Sequence, residues 1–320
     1  MILNIKVAKK GIATEVTIAA VVKDFKFIGA GGKLYLWDGA STVITFDIAT
    51  MGVSATNTYG FTITDIACDD TAYYIGQNGD ANTDTPMQVH RISIAGEQTT
   101  YTGNIDWTEP RYYYRLHGSE HYVDFLYATG GKLFISCGGN APDSSPYTVR
   151  WLTEVNTVTM TRDCRMSGDT SSAPSTIHGF SDFVTDGTYL YALLYASWIT
   201  KFTIGTMVQI AQNSGNIGPW NLGYGMVYTQ DGYILRTRGN RGYSTVEKYH
   251  CTNLAKTNLG QTYGGMGFYH AVSDGSTIWF DWYAFDILSA TTVSYPIYPG
   301  YKLFSWEFSS SENAIWFQEG

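Results

Sequence analysis

The stretch Asp186-Gly187-Thr188-Tyr189-Leu190 indicates the fold most directly, because it places a turn-forming pair immediately before a short run of strand-forming residues. Asp and Gly adopt the backbone conformations of tight turns, whereas aromatic and branched side chains favour strands. The same signature recurs along the chain. It occurs at 31–35, 69–73, 130–134, 186–190, 231–235, 274–278 and, in degenerate form, 311–315. The chain is therefore predicted to consist of repeated strand-turn-strand units.

The repeats are about 47 residues apart on average, which is a suitable period for a unit of four short strands. In the first full unit, the apolar pattern predicts strands over 25–28, 33–37, 43–48 and 53–58. Consecutive antiparallel strands of this kind form a meander. One such sheet cannot bury both of its faces, so neighbouring units must stack against each other.

This organisation resembles the β-propeller superfamily, and the resemblance extends over nearly the whole chain. It implies an all-β fold in which seven four-stranded antiparallel blades surround an axis, as one domain over residues 1–320. The chain has neither the regularly placed WD dipeptide nor the kelch pattern of glycines and tryptophans. A ring of six blades with a separate N-terminal hairpin is the alternative count.

The two ends of the chain predict how such a ring closes. The last repeat is followed by too few residues for a third and a fourth strand, so that only strands near 303–308 and 314–317 are expected there. The N-terminal stretch 5–12 matches 46–53 in character, a third strand that turns into a fourth. We therefore predict that residues 1–23 complete the last blade, with the strand around 3–7 beside the C-terminal strand.

Composition and charge limit the class of protein further. Aromatic residues make up 15% of the chain and charged residues 15%, and 34 glycines stand against 8 prolines, which is typical of sheets rather than helical bundles. The net charge of -8 gives no general attraction to nucleic acid or to anionic membranes. No apolar run approaches the ~18 residues of a membrane span, so no membrane insertion is expected.

The N-terminal residues and the cysteines add two expectations. The first 22 residues alternate like two strands and a turn, so we expect no secretion signal. Cys68, Cys137, Cys164 and Cys251 are far apart and form no C-x-x-C pair. They are predicted to be isolated thiols rather than ligands of a zinc ribbon or a redox dithiol.

The predicted connections differ in length between the two ends of the sheets. Those joining first to second and third to fourth strands are tight, and we call this end the lower face. The upper face holds the other connections, of which the long ones are 76–87, 101–121, 138–147, 165–179, 212–223 and 260–267. Function commonly resides on loops carried by a rigid scaffold, so the upper face is the candidate interaction surface. Unselected variation in loop length is the alternative explanation.

Aromatic side chains flanked by Arg and Asn are concentrated in these upper connections. This combination suits either stacking on sugars or contact with a protein, and packing between sheets is the alternative. The candidate binding residues are Trp107, Arg111, Tyr112, Tyr113, Tyr114, Trp220, Arg238, Asn240, Arg241 and Tyr243. Aromatic residues within strands, such as Tyr35, Trp37, Trp279 and Trp316, are assigned to the core.

One stretch matches a catalytic motif. His117-Gly118-Ser119-Glu120-His121 has the H-x-x-E-H arrangement of zinc inverzincins. That motif requires a helix to place the two histidines one turn apart, but Gly118 and Ser119 are poor helix formers and the flanking residues are typical of strands. We therefore predict a polar loop without catalytic zinc.

The remaining site motifs are weak. Asp80, Asn82 and Asp84 have the alternating oxygen ligands of a calcium loop, but Thr85 stands where such a loop needs Gly, so they are weak metal candidates. The chain has no G-x-S-x-G elbow, P-loop or dinucleotide fingerprint. We therefore expect no catalytic residues and no cofactor.

These observations favour a non-enzymatic structural or interaction protein. The composition, rich in Thr, Ser, Gly and Tyr, looks like that of the propellers among tailed-phage tail and tail-adaptor components. This resemblance implies a virion location after synthesis in the host cytoplasm without a signal peptide. The implied partners are other virion or assembly proteins and a host-surface glycan or receptor. The alternatives are a carbohydrate-binding propeller lectin or glycan-active enzyme, and an intracellular propeller scaffold.

Overall fold

The structure is a computed structural model, and it describes a defined part of the chain. The described residues are 3–9, 12–18, 29–30, 33–47, 50, 52–80, 83, 85–103, 120–140, 148–165, 180–194, 198–213, 223–229, 232–240, 243–263, 271–273, 277–280, 284–286, 291–293, 301–303 and 313–318. Within them the backbone consists of strands, turns and bends, and no helix long and apolar enough to cross a membrane is found.

In this part of the chain, 28 strands form seven four-stranded antiparallel sheets, which we number 1 to 7. Sheet 7 contains the first two and the last two strands of the chain, namely β1 (Leu3–Lys9), β2 (Ile12–Ile18), β27 (Tyr301–Leu303) and β28 (Asn313–Gln318). Sheets 1 to 3 follow β2 in chain order: sheet 1 consists of β3 (Gly29–Ala30), β4 (Lys33–Trp37), β5 (Thr42–Asp47) and β6 (Gly52–Thr58); sheet 2 of β7 (Ile63–Cys68), β8 (Ala72–Gln77), β9 (Gln88–Ser93) and β10 (Gln98–Thr102); and sheet 3 of β11 (Tyr122–Thr129), β12 (Lys132–Asn140), β13 (Thr148–Asn156) and β14 (Thr161–Arg165). Sheets 4 to 6 come next: sheet 4 consists of β15 (Phe180–Thr185), β16 (Tyr189–Leu194), β17 (Trp198–Thr203) and β18 (Gln209–Gln212); sheet 5 of β19 (Gly223–Thr229), β20 (Tyr233–Asn240), β21 (Tyr243–His250) and β22 (Lys256–Tyr263); and sheet 6 of β23 (Ala271–Ser273), β24 (Thr277–Phe280), β25 (Ala284–Asp286) and β26 (Thr291–Val293).

Sheet 7 combines the two ends of the chain. Its strand order is β2-β1-β28-β27, and β1 pairs with β28 in a register that sets Val7 opposite Ile315 and Lys9 opposite Asn313. The predicted pairing of the N-terminal strand with the C-terminal strand is therefore confirmed. The predicted strand over 25–28 lies outside the described residues, and the first described strand of sheet 1 is β3.

Sheets 1 to 6 follow one another in space as they do in sequence. The first strands of sheets 2 to 6 adjoin one another, since β7 contacts β11, β11 contacts β15, β15 contacts β19, and β19 contacts β23. Buried apolar clusters fill the junctions from sheets 1 and 2 through to sheets 4 and 5. The meanders of sheets 2 to 6 therefore run away from a row of adjoining first strands, and the described core lies between adjacent sheets rather than within one sheet.

Two aspartates, the buried Asp65 and the half-buried Asp182, connect first strands across these junctions. Asp65 in β7 accepts a hydrogen bond from the backbone N–H of Leu126 in β11, at 2.7 Å. Asp182 in β15 accepts one from the N–H of Met226 in β19, at 2.5 Å. The first strands of sheets 2 to 5 all contain a register shift in their pairing with the second strand. At such a shift, backbone N–H and C=O groups are not paired within the sheet and can form hydrogen bonds elsewhere.

The tight lower turns confirm the repeated sequence signature. The carboxylate of Asp69 accepts the N–H groups of Thr71 and Ala72, and its second oxygen accepts the hydroxyl of Tyr74 at 2.6 Å. Asp186 makes the same three bonds two sheets further along. The aspartate therefore fixes the turn while it satisfies a buried tyrosine of the same sheet.

The lower turns between the third and fourth strands of sheets 3, 4 and 5 share a second feature. Met160, Met207 and Leu254 have positive φ angles of 51°, 51° and 56°, and each N–H bonds to the carbonyl four residues earlier. A left-handed backbone costs about 1 kcal/mol in a residue with a Cβ. Burial offsets that cost, because all three side chains lie in the clusters between their own sheet and the preceding one.

Candidate binding surface

Most of the predicted binding residues fall outside the described part of the chain. Those outside are Trp107, Arg111, Tyr112, Tyr113, Tyr114, Trp220 and Arg241. The backbones of the other three are described, and they lie where the second and third strands of sheet 5 meet. Arg238 pairs there with Thr245, and Asn240 pairs with Tyr243. Their assignment to an interaction surface stays a prediction.

The weak metal candidates lie in the connection between β8 and β9. Asp80 forms an isolated bridge with Thr85, in which each N–H donates to the other's carbonyl, while Asn82 and Asp84 are outside the described residues. Among the residues that the structure describes, no group of three or more His, Cys, Asp or Glu could hold a metal ion.

The last two residues of 117–121, the stretch predicted to be a polar loop, lie outside any strand but are buried rather than exposed. Glu120 is 0% exposed and His121 is 1% exposed, directly before β11. The N–H of His121 donates to the carbonyl of Gly138 at 2.9 Å, which continues the β11–β12 ladder. Sheet 2 covers this entry into sheet 3, and local spacing in the sequence cannot reveal that cover. Residues 117–119 lie outside the described part.

The Glu120 carboxylate lies at the centre of the junction between sheets 2 and 3. The hydroxyl of Tyr101, from β10, donates to its Oε2 at 2.6 Å. The hydroxyl of Thr153, from β13, donates to its Oε1 at 2.6 Å, and the Cys137 thiol lies 3.9 Å from the same oxygen. A buried carboxylate is tolerated when its oxygens accept such bonds, so Glu120 joins the outer strand of one sheet to the middle of the next.

Backbone bonds around Glu120 hold the two stems of the segment 104–119 together. The N–H of Met87 donates to the Glu120 carbonyl, and the N–H of Gly103 donates to the Met87 carbonyl, both at 2.8 Å. The N–H of Gly79 donates to the carbonyl of His121 at 2.8 Å. A Cβ on Gly103 would lie 2.7 Å from the Glu120 carbonyl oxygen, so only glycine fits there. The segment therefore leaves and re-enters the described fold at one place.

This buried cluster does not have the properties of a reactive centre. Burial raises the pKa of the Cys137 thiol well above its ordinary value, and the Glu120 charge raises it further. Burial, followed by Glu120, likewise raises the pKa of Tyr101. A thiol that stays protonated is a poor nucleophile, and Cys164 is similar, because burial and Glu154 raise its pKa to about 12. The arrangement fastens two sheets together.

The upper part of the junction between sheets 1 and 2 is different, because aromatic side chains there are only partly buried. Trp37, Tyr59 and Phe61 pack against the buried cluster that contains Tyr35 and Tyr73. The ring centroid of Phe61 lies 5.6 Å from that of Tyr59. Tyr35 is confirmed as a core residue, whereas Trp37 lies at the edge of the core. The side chains of Trp279 and Trp316 are not described.

Amide, hydroxyl and imidazole groups complete this junction. The ring of His90 lies 4.8 Å from that of Phe61, and its nitrogens are within 3.0 Å of Gln77 and Thr100. Gln98 lies 3.1 Å from the same imidazole. Burial lowers the pKa of His90, so its imidazole is neutral at pH 7.

We call this feature the aromatic groove. Its residues come from both sheets and from the short connection between them. They are Trp37, Asn57, Tyr59, Phe61, Gln77, His90, Gln98 and Thr100. None of these eight carries a charge at pH 7. The candidate binding residues predicted from the sequence include none of these eight, although residues 52–64 form an uncharged run with two aromatics in the connection between sheets.

The other described junctions contain charged groups that are used within the fold. Glu154 of sheet 3 accepts the N–H of Gly205 in a lower turn of sheet 4, at 2.7 Å, and contacts Lys132 at 2.9 Å. Lys201 of sheet 4 donates to the carbonyl of Cys251 in a lower turn of sheet 5, at 2.8 Å. Its ammonium also lies 3.8 Å from the ring centroid of Tyr189. These charges hold neighbouring sheets together.

Sheet 5 contains a further buried ion cluster. Glu247 accepts the hydroxyl of Tyr249 at 2.6 Å, pairs with Lys256 at 3.2 Å and lies 3.8 Å from Arg236. Burial alone would raise the pKa of Glu247, but the Tyr249 bond and the two cations outweigh it and lower the pKa. Glu247 is therefore an ionised structural group.

Comparisons with known proteins agree with this architecture. No protein-family model and no curated protein matches the sequence. Among solved structures, the chain is similar to the β-propeller domain of Cps50 (Swd1) from Myceliophteria thermophila, at 11% identity and a TM-score of 0.59, over 93% of this chain and 99% of that chain. It is similar to the hydrazine synthase of Kuenenia stuttgartiensis at 13% identity and a TM-score of 0.59, over 84% and 78% of the two chains. A chain of the mitotic checkpoint complex matches at 12% identity and a TM-score of 0.57, over 97% and 78%. At these identities the likeness is one of fold alone, and the fold is that of the β-propeller domain of Cps50 (Swd1).

Proposed function

We propose that this protein is a non-enzymatic interaction scaffold, a single-domain propeller over residues 1–320 that presents upper-face loops to a protein partner. The pairing of β1 with β28 supports a ring of seven blades closed by the N-terminal strands. The adjacency of the first strands supports the same arrangement. The likeness to the β-propeller domain of Cps50 (Swd1) and to a chain of the mitotic checkpoint complex supports a scaffold better than a virion component, because neither is described as a phage protein. A virion location stays a prediction from composition.

One observation carries the proposal, namely the fastening of both stems of segment 104–119 at Glu120. A long loop loses conformational entropy when it binds, and a fixed stem lowers that loss. This segment contains Trp107 and the run Tyr112–Tyr114, which are residue types enriched at the centres of protein interfaces. The buried bonds of Tyr101 and Thr153 to Glu120 support the proposal, because they fix described residues on both sides of this segment.

The experiment compares two variants of the tagged full chain in the cells that produce it. Trp107→Ala removes an aromatic residue of segment 104–119. Val158→Ser is the matched control, because Val158 is 79% exposed in a lower turn. Proteins captured by the wild type are quantified by mass spectrometry, and thermal midpoints are measured in parallel.

We expect to find a partner protein whose captured amount falls at least about tenfold with Trp107→Ala and stays unchanged with Val158→Ser. The thermal midpoints of both variants should remain near the wild-type value. Failure to enrich any protein over an unrelated propeller would contradict the scaffold function. A partner lost only in Val158→Ser would move the interaction to the lower face.

A further inference from the structure

We propose that the aromatic groove between sheets 1 and 2 is a binding site for a neutral saccharide. The proposal is independent of the scaffold function, because the groove lies on the opposite face of sheet 2 from the stem at Glu120 and uses other side chains. It rests on the aromatic rings, the polar groups beside them and the absence of charge among the eight groove residues.

The aromatic rings are fixed by contacts underneath them. The hydroxyls of Tyr59 and Tyr73 are 2.5 Å apart, and Tyr73 is itself 4.6 Å from Tyr35, ring centroid to ring centroid. Phe61 lies over His90. Rings that are held from below and partly exposed are suited to stacking on the apolar C–H face of a sugar, because little side-chain entropy is lost on binding.

The polar groups beside the rings can satisfy sugar hydroxyls. Asn57 donates one amide hydrogen to the hydroxyl of Tyr73, at 3.1 Å, and its other amide groups remain for a ligand. Gln98 and Thr100 each contact His90 and are exposed on β10. Amides and hydroxyls both donate and accept, as does each sugar hydroxyl, so the groove and the ligand are complementary.

The absence of charge selects the class of saccharide. A phosphate, sulfate or carboxylate would be desolvated here without an Arg or Lys among the groove residues to pair with it. His90 does not supply a positive charge, because burial favours its neutral form. The exposed groove side chains on β6 and β10 are Asn, Gln and Thr rather than the apolar and Arg residues of a protein interface. A neutral sugar fits these conditions best.

The test begins with labelled full-length protein on an array of linear oligosaccharides. The array contains neutral chains of glucose, mannose, galactose, xylose and N-acetylglucosamine, together with sulfated and sialylated chains. We expect binding to at least one neutral class, which titration calorimetry with that oligosaccharide then quantifies. An array with no neutral chain bound, or with anionic chains alone bound, overturns the proposal.

Variants locate the site. Phe61→Ala removes a stacking ring, and Gln98→Lys places a charge on the exposed edge of the groove. We expect each to weaken saccharide binding at least about tenfold. Gln209→Lys is the matched control, because Gln209 lies on β18, the outer strand of sheet 4. It should bind as the wild type does.

Folding is checked for each variant by its thermal midpoint, and Gln98→Lys serves if Phe61→Ala fails to fold. Equal affinities of Gln98→Lys, Gln209→Lys and the wild type would overturn the assignment to this groove. Loss of captured protein partners in Gln98→Lys, with saccharide binding unchanged, would overturn it as well and would identify the groove as a protein contact.

Discussion

Strand β10 borders two junctions that differ in openness. On one side, Thr100 is exposed and faces the aromatic groove, where Tyr59 and Phe61 are partly covered. On the other, the adjacent residue Tyr101 is buried and bonds to Glu120. Alternation along one strand therefore directs a small hydroxyl to an open junction and a large phenol to a closed one.

The closed junction also depends on glycine. A Cβ on Gly76 would lie 2.8 Å from Val123 of the next sheet, so β8 approaches sheet 3 as closely as its backbone allows. The Glu120 side chain is fully buried in this junction, so its carboxylate must find its partners within the protein. The open junction retains partial exposure, and the eight groove residues are neutral. The two faces of sheet 2 therefore differ, because one borders a buried carboxylate network and the other borders partly buried aromatic rings beside neutral polar groups.

The largest expected effect comes from removal of the carboxylate in the closed junction. Glu120→Ala leaves the hydroxyls of Tyr101 and Thr153 buried without their acceptor and creates a cavity. We expect the free energy of unfolding to fall by about 2–5 kcal/mol, measured by urea denaturation. Glu97→Ala, at an exposed lower turn, is the control and should change it by less than about 0.5 kcal/mol. Equal stabilities of the two variants would show that the Glu120 bonds contribute little.

A smaller loss of stability is expected from single-hydroxyl variants, which compare the two faces of β10 directly. Tyr101→Phe removes only the hydroxyl that bonds to Glu120, and we expect a loss of about 1–2 kcal/mol. Thr100→Val removes a hydroxyl from the exposed face of the same strand and should cost less than about 0.5 kcal/mol. Urea denaturation of both variants measures the difference. If Thr100→Val proved the more damaging, the open junction would be the one that holds the sheets together.

The smallest effect is a pH dependence in the open junction. Burial lowers the pKa of His90 in the folded state, so the unfolded chain binds a proton at this site more readily than the folded one. The contribution of neutral His90 is therefore complete above its ordinary pKa of about 6.5 and is lost as pH falls through the lower folded value.

We expect His90→Gln to have a flatter stability profile than the wild type between pH 7 and about pH 5, measured by thermal melting in matched buffers. Glu247 does not affect the comparison in this pH range, because its lowered pKa places its effect on stability at more acidic pH. Both proteins also contain Glu247, so its contribution is the same in each. Parallel profiles for the two proteins would refute a buried neutral His90.

The sequence alone determined the features that depend on neighbours along the chain. The turn signature at Asp69 and Asp186 predicted the tight lower turns, because a side chain bonds there to backbone groups two and three residues away. The likeness of 5–12 to 46–53 predicted that the N-terminal strand pairs beside β28, since pairing follows from strand pattern and the count of missing strands.

Only the tertiary structure decided the environments in which distant segments meet. Glu120 looked like part of a polar loop, yet Tyr101 and Thr153, 19 residues before it and 33 after it, enclose its carboxylate. The aromatic groove likewise joins residues of β4, β6, β8, β9 and β10 with the connection at 59–62. Burial depends on which sheets adjoin and how closely they approach, and no local pattern of residue types records that distance.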